Sequence, residues 1–78
     1  MNLDDLTAHV HQSVRLTFKD GEIVDALLLG VDLHRDRDLT YEVHRILRAA
    51  SPPTRGTAVG ATVIAKVQDL SSWRTVIE

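Results

Sequence analysis

On either side of an Asp20-Gly21 pair, apolar residues recur at every second position: Val14, Leu16 and Phe18 before it, Val24, Ala26 and Leu28 after it. A period of two sends side chains to opposite faces in turn, so each run is a strand with one buried face. Asp followed by Gly tolerates the positive φ of a type I′ turn, which makes the pair a hairpin and the two strands antiparallel. The second strand, over about 22–33, is longer than most and changes character partway. From Ala26 to Val31 both of its faces are apolar, and Gly30 interrupts the run. A glycine inside a strand marks a bulge or a sharp bend, so this strand folds over on itself.

The remaining elements follow from the same signals. Leu3, Leu6 and Val10 share one helical face, Asn2 can cap it, and Asp4 and Asp5 sit where a helix dipole favours negative charge. A short amphipathic helix over about 2–11 is expected, docked by that stripe because it is too short to stand alone. His34-Arg-Asp-Arg-Asp38 reads as a turn, and Leu39, Tyr41 and Val43 alternate in a third strand over 39–48 whose phase breaks at Ile46-Leu47. Residues 49–60 carry Ser51-Pro52-Pro53, Gly56 and Gly60 and read as a mobile loop. A β-branched fourth strand over 61–68, a tight connector at Asp69-Leu-Ser-Ser72 that can hold a 3₁₀ turn, and a fifth strand over 73–77 complete the chain. The expected fold is mainly β: one short N-terminal α-helix and then a five-stranded, strongly bent antiparallel sheet closing into a small barrel, all in one domain over 1–78.

The stretch Val14-Arg-Leu-Thr-Phe-Lys-Asp-Gly-Glu-Ile-Val-Asp-Ala-Leu-Leu-Leu-Gly-Val-Asp32 resembles the first sequence motif of the Sm-like (LSm/Hfq-type) small β-barrel family. Lys19-Asp20-Gly21, Ala26, Leu28, Gly30 and Val31-Asp32 fall on the motif's places in order, behind a matching N-terminal helix, and the likeness covers roughly residues 2–48. The resemblance implies a noncatalytic ring or dimer that binds RNA or another single-stranded nucleic acid. On the matching turn it assigns nucleic-acid contacts to Asp32, His34, Arg35 and Arg37, with His34 stacking a base and the arginines holding phosphate. Two departures stand against the RNA motif. The turn is longer than the family's and lacks its asparagine, while Asp36 and Asp38 repel phosphate; and Asp69-Leu-Ser-Ser72 stands where the family has Arg-Gly, for which Arg55-Gly56 is no substitute.

Small size points the same way on assembly. A 78-residue chain without cysteine has a thin core and no disulfide to reinforce it, so self-association is the common remedy. Val63, Ile64, Val76 and Ile77 make the fourth and fifth strands apolar on both faces, as strands flanked by neighbouring copies would be, and they form the expected oligomer interface. The alternative is an SH3-like or Tudor-like protein-interaction or structural module whose edges recruit a protein partner, with Trp73, Tyr41 and Phe18 as its only aromatics.

Other chemistry finds little footing. Nine basic and eleven acidic residues, a net charge of −2, create no global field for nucleic acid, so any such binding must be local. His9 and His11 stand two apart on the expected helix and point away from each other, and no cysteine is present, so no metal site is expected. Ser71, Ser72, Tyr41 and the scattered carboxylates make no nucleophile and base set, so neither catalysis nor a cofactor is expected. With no apolar run of about 18 residues and an acidic start where a signal peptide is basic, a cytoplasmic protein without membrane contact is expected.

Overall fold

The computed structural model describes residues 2–77. A short helix α1 (Leu3–Thr7) precedes the strands β1 (Ser13–Phe18), β2 (Ile23–Asp32), β3 (Asp38–Arg48), β4 (Thr62–Lys66) and β5 (Leu70–Thr75), with a 3₁₀ turn at Val67–Asp69 between the last two. All five strands belong to one antiparallel sheet in the order β4-β3-β2-β1-β5. No helix among the described residues is long and apolar enough to cross a membrane.

α1 is shorter than its apolar stripe suggests. Asn2 caps it, its side-chain oxygen accepting from the amides of Asp4 at 3.0 Å and Asp5 at 3.2 Å. Beyond Thr7 the sheet takes over the backbone: the His11 amide donates to Leu28 O, Gln12 O accepts from the Leu28 amide, and His11 turns to φ 73°. Leu28 thereby ends a helix that the spacing carries to His11. Leu6 is still fully buried, with Leu3 and Val10 packed against the core beside it.

The β1–β2 hairpin also differs from expectation. Phe18 O accepts from the Gly21 amide, and Gly21, not Asp20, carries the positive φ, at 95°. This is a turn of Phe18–Gly21 closed by a left-handed glycine, the three-residue hairpin form, not the two-residue type I′.

Bulges give β2 and β3 their shape. The register passes from Leu28↔Tyr41 to Gly30↔Thr40, leaving Leu29 unpaired. One extra residue exchanges the faces, so Val31 points inward opposite Leu39 and Asp32 is free for the turn that follows. On β3 the residues passed over are His44 and Leu47. The first brings Arg45, not His44, opposite Asp25 on the outer face, and the second breaks phase where Ile46-Leu47 does in the sequence.

The C-terminal strands lie earlier than the pattern places them. β4 stops at Lys66, and β5 runs 70–75 where the sequence suggests 73–77. Buried Leu70 pairs with Phe18, and a bulge at Ser71 restores register at Ser72↔Thr17, so the connector read at Asp69–Ser72 is largely strand. β4 and β5 lie at opposite margins of the sheet and do not pair, so the expected closed barrel does not form. The sheet is nonetheless strongly bent. Five flat strands would set the marginal pair about 19 Å apart, whereas the four steps from Lys66 to Leu70 reach at most about 14 Å.

Inside the bend lies one core of Leu6, Val14, Leu16, Phe18, Val24, Ala26, Leu28, Leu39, Tyr41, Val43, Val63, Ala65, Val67 and Leu70. The Tyr41 hydroxyl is buried within it and has no hydrogen-bond partner. An unpaired buried hydroxyl costs free energy that its removal returns. Tyr41→Phe is therefore expected to leave stability unchanged or raise it by up to about 1 kcal/mol in urea unfolding.

Candidate nucleic-acid interface

Asp32 ends β2 and organises the turn beyond it. Its two carboxylate oxygens accept from the backbone amides of His34 at 3.0 Å, Arg35 at 3.0 Å and Asp36 at 3.3 Å. The amides of Arg35, His34 and Asp36 hold its carboxyl below the usual carboxylate range. Arg37 adopts a left-handed φ of 51° and its guanidinium donates to Leu33 O. The turn is then tied to the far end of β4, where Lys66 Nζ donates to Asp36 O at 3.2 Å and the Val67 amide to Arg37 O at 2.9 Å.

Of the residues assigned to nucleic acid from the sequence, His34, Arg35 and Arg37 stand exposed on this one turn. Asp32 is not free in the same way: its carboxylate accepts from three backbone amides and holds the turn. Two further side chains were missed. Lys66 and Gln68 join Arg35, Asp36 and Arg37 around a shallow cleft of about 250 Å³. Lys66 arrives there because it pairs with Asp38. That pairing spans the loop 49–60, whose length leaves the register of β4 open in the sequence; the outward alternation of Thr62, Ile64 and Lys66 was the available signal.

The four residues expected at an oligomer interface divide differently. Val63 is buried in the core opposite Tyr41, so only its backbone reaches the sheet margin. Ile64 is 66% exposed on the outer face of β4. Val76 and Ile77 lie beyond the end of β5, the first half-buried and the second 94% exposed.

Within the segment read as a mobile loop, residues 54–57 are tied to the β1–β2 hairpin. Arg55 Nε donates to Glu22 Oε1 at 3.1 Å and another of its guanidinium nitrogens to Asp20 Oδ2 at 2.6 Å. The hydroxyls of Thr57 and Thr54 donate to the same two carboxylates, and the guanidinium lies 4.0 Å from the centre of the Phe18 ring. Glu22 is only 2% exposed. Burial pulls the Arg55 pKa down, but its bonds to Glu22 and Asp20 outweigh this and raise it. Asp20 is held below the usual range, first by the Glu22 amide and then by Arg55. Proline, glycine and serine in the loop signalled irregular backbone correctly, but a charge pair joining residues more than thirty positions apart leaves no local trace.

Other constellations stay apart. His9 Nδ1 lies 2.7 Å from Asp5 O, its ring is 5.1 Å from Trp73, and the indole N–H donates to Asn2 O. Phe18 and Tyr41 are buried side by side in the core, so the aromatics assemble no open cage. Among the described residues no three His, Cys, Asp or Glu side chains gather as a metal-binding group. Compared with known protein families, curated proteins and solved structures, the chain finds no match.

Two outcomes follow from the charged clusters. Arg55→Met leaves Glu22 buried without its cation and is expected to cost about 3–5 kcal/mol in urea unfolding. Because Asp20 and Asp32 have lowered pKa values, their contribution is present above the unfolded carboxylate pKa of about 4 and is lost as pH falls through their folded values. The urea midpoint is therefore expected to fall between pH 5 and pH 2, and Asp20→Asn to make that fall shallower.

Proposed function

We propose that this chain is a noncatalytic Sm-like assembly unit, in which β4 of one copy pairs with β5 of the next and the resulting oligomer holds single-stranded RNA along one rim. The observation that carries the reading is that both marginal strands of the sheet are hydrogen-bonded on one side only. Unpaired strand margins are templates for further pairing, and two different margins on one molecule join head to tail, which closes into a ring when the rotation allows. Pairing of this kind completes between copies the small barrel, SH3-like in form, that a single copy leaves open.

RNA binding rests on the β2–β3 turn. In a ring the cleft of Arg35, Arg37 and Lys66 repeats once per copy around the same rim, so modest local charge becomes a continuous track. His34, exposed beside it, supplies a ring on which a base can stack. The cytoplasm is the compartment this reading implies. A second reading, an SH3-like or Tudor-like module that takes a protein strand on its open margin, is favoured by one observation: the carboxylate of Asp32 is bound to its own turn and cannot read a base.

Native mass spectrometry at tens of micromolar, after removal of copurified nucleic acid, is expected to show a closed oligomer; a monomer overturns the assembly. Fluorescence anisotropy with oligouridylate is expected to show affinity that falls steeply between 50 and 200 mM salt and drops further in the triple variant Arg35→Gln, Arg37→Gln, Lys66→Gln. Unchanged affinity in that variant removes the RNA site, and salt-insensitive capture of a protein partner supports the second reading.

A further inference from the structure

The outer face of the sheet carries a line of charge that the rim does not use. Reading across the strands, Arg74 of β5 pairs with Arg15 of β1, Arg15 with Asp25 of β2, and Asp25 with Arg45 of β3. All four side chains lie opposite the core, since their strand neighbours Leu16, Val24 and Ala26 point into it. Arg15 and Asp25 form a two-point ion pair at 2.7 and 3.0 Å. Asp25, only 8% exposed, is thereby committed to Arg15. Its carboxyl is held below the usual range by the Arg15 bonds first, with Arg45 and Arg74 adding their fields.

Arg45 and Arg74 remain. Both are exposed, and among the described residues neither has a hydrogen-bond or ion-pair partner. Arg74 faces Arg15 directly across neighbouring strands, and Asp25, bound to Arg15, is the one carboxylate in the line, so four charged side chains leave an excess of two positive charges on this face. Of the two carboxylates on β3, Glu42 lies 3.6 Å from His44 and Asp38 stands at the far end of the strand opposite Asp32 and Lys66, so neither serves them. Aliphatic side chains border the line: Ile23 and Leu47 line a depression with Arg15 and Arg74, and Val76 and Ile77 line another with Arg15 and Arg45.

We propose that this face docks an acidic, leucine- or isoleucine-bearing segment of a partner protein, whose carboxylates pair with Arg74 and Arg45 on either side of the Arg15–Asp25 pair while its aliphatic side chains cover Ile23, Leu47 and Ile77. The choice of a protein segment over nucleic acid comes from the surroundings of the arginines. Bases need flat rings to stack on, yet Phe18 and Tyr41 are buried, Trp73 packs toward the core and His9, and His44, the exposed ring beside Arg45, lies 3.6 Å from the Glu42 carboxylate, which repels phosphate. Exposed aliphatic surface mixed with arginine is instead the composition of a protein interface. The line from Arg74 to Arg45 spans three strand intervals, about 14 Å. In an extended partner, carboxylates about four residues apart bridge that distance. Pairing of β4 with β5 between copies uses the strand margins and leaves this face open, so the docking and the assembly are separable.

A fluorescein-labelled serine-rich peptide with glutamates four residues apart and a leucine between them serves as the probe, against the same peptide with glutamine for glutamate. Anisotropy on the full chain is expected to show the acidic peptide binding at least tenfold more tightly than its glutamine counterpart. The double variant Arg45→Gln, Arg74→Gln should abolish that preference, and Arg35→Gln, Arg37→Gln should leave it intact. The first variant is expected to fold, with a melting temperature changed by no more than a few degrees because both side chains are exposed, and to keep its oligomeric mass. Equal binding of the two peptides, a preference that survives Arg45→Gln, Arg74→Gln, or loss of oligouridylate binding in that variant would each overturn the proposal. Failure to oligomerise or to bind RNA bears on the rim and the strand margins alone.

Discussion

The shortness of the link between β4 and β5 governs the molecule. Two strands at opposite margins of a five-stranded sheet are joined through a single 3₁₀ turn, and no flat sheet can satisfy that. The sheet has to bend, and a bent sheet has an inside. Bulges bend the strand that carries them, and β2 and β3 have them at Leu29, His44 and Leu47, each allowing the chain to change face without losing its partner strand. They also decide which side chains are offered outward. Asp32 reaches the turn it organises because Leu29 is skipped, and Arg45 stands opposite Asp25 because His44 is skipped.

Charge in this protein is divided between holding and offering. Asp20, buried Glu22 and Arg55 form a group that fastens a long loop across the β1–β2 hairpin, and Asp32 fastens a turn. Arg35, Arg37, Lys66, Arg45 and Arg74 are exposed, and none of them has a carboxylate partner among the described residues. A chain that is slightly acidic as a whole therefore presents basic surfaces, because several of its acids are occupied internally. Net charge hides this, and only the pairing of particular residues shows it.

Period and punctuation made much of the architecture legible. Alternation located β1 and the start of β2, Gly30 sits at a register shift, and the broken phase at Ile46-Leu47 coincides with another. Three features escaped for physical reasons. α1 is cut short by backbone bonds to Leu28, a residue distant in sequence. β5 begins early because Leu70 is drawn into the core beside Phe18, although Ser71 and Ser72 look like a connector. The closed barrel was inferred from strand order, which does not specify whether the marginal strands meet. At the turn, residue type singled out His34, Arg35 and Arg37, whereas Lys66 depended on a register that only the folded sheet defines.

The pairing of β1 with β5 carries a consequence for how the chain acquires this structure. β1 is the first strand in sequence, and one of its two neighbours is the last. Hairpins β1–β2 and β2–β3 join residues close in sequence and can form early, but Val14 and Leu16 gain their second partner only when Thr75 and Trp73 arrive. Until then an apolar strand stands with an open flank in a nearly complete domain. In any copy whose β5 has not docked, the interior strand β1 is also an available margin, and β5 is the element that two such copies would exchange in a domain swap.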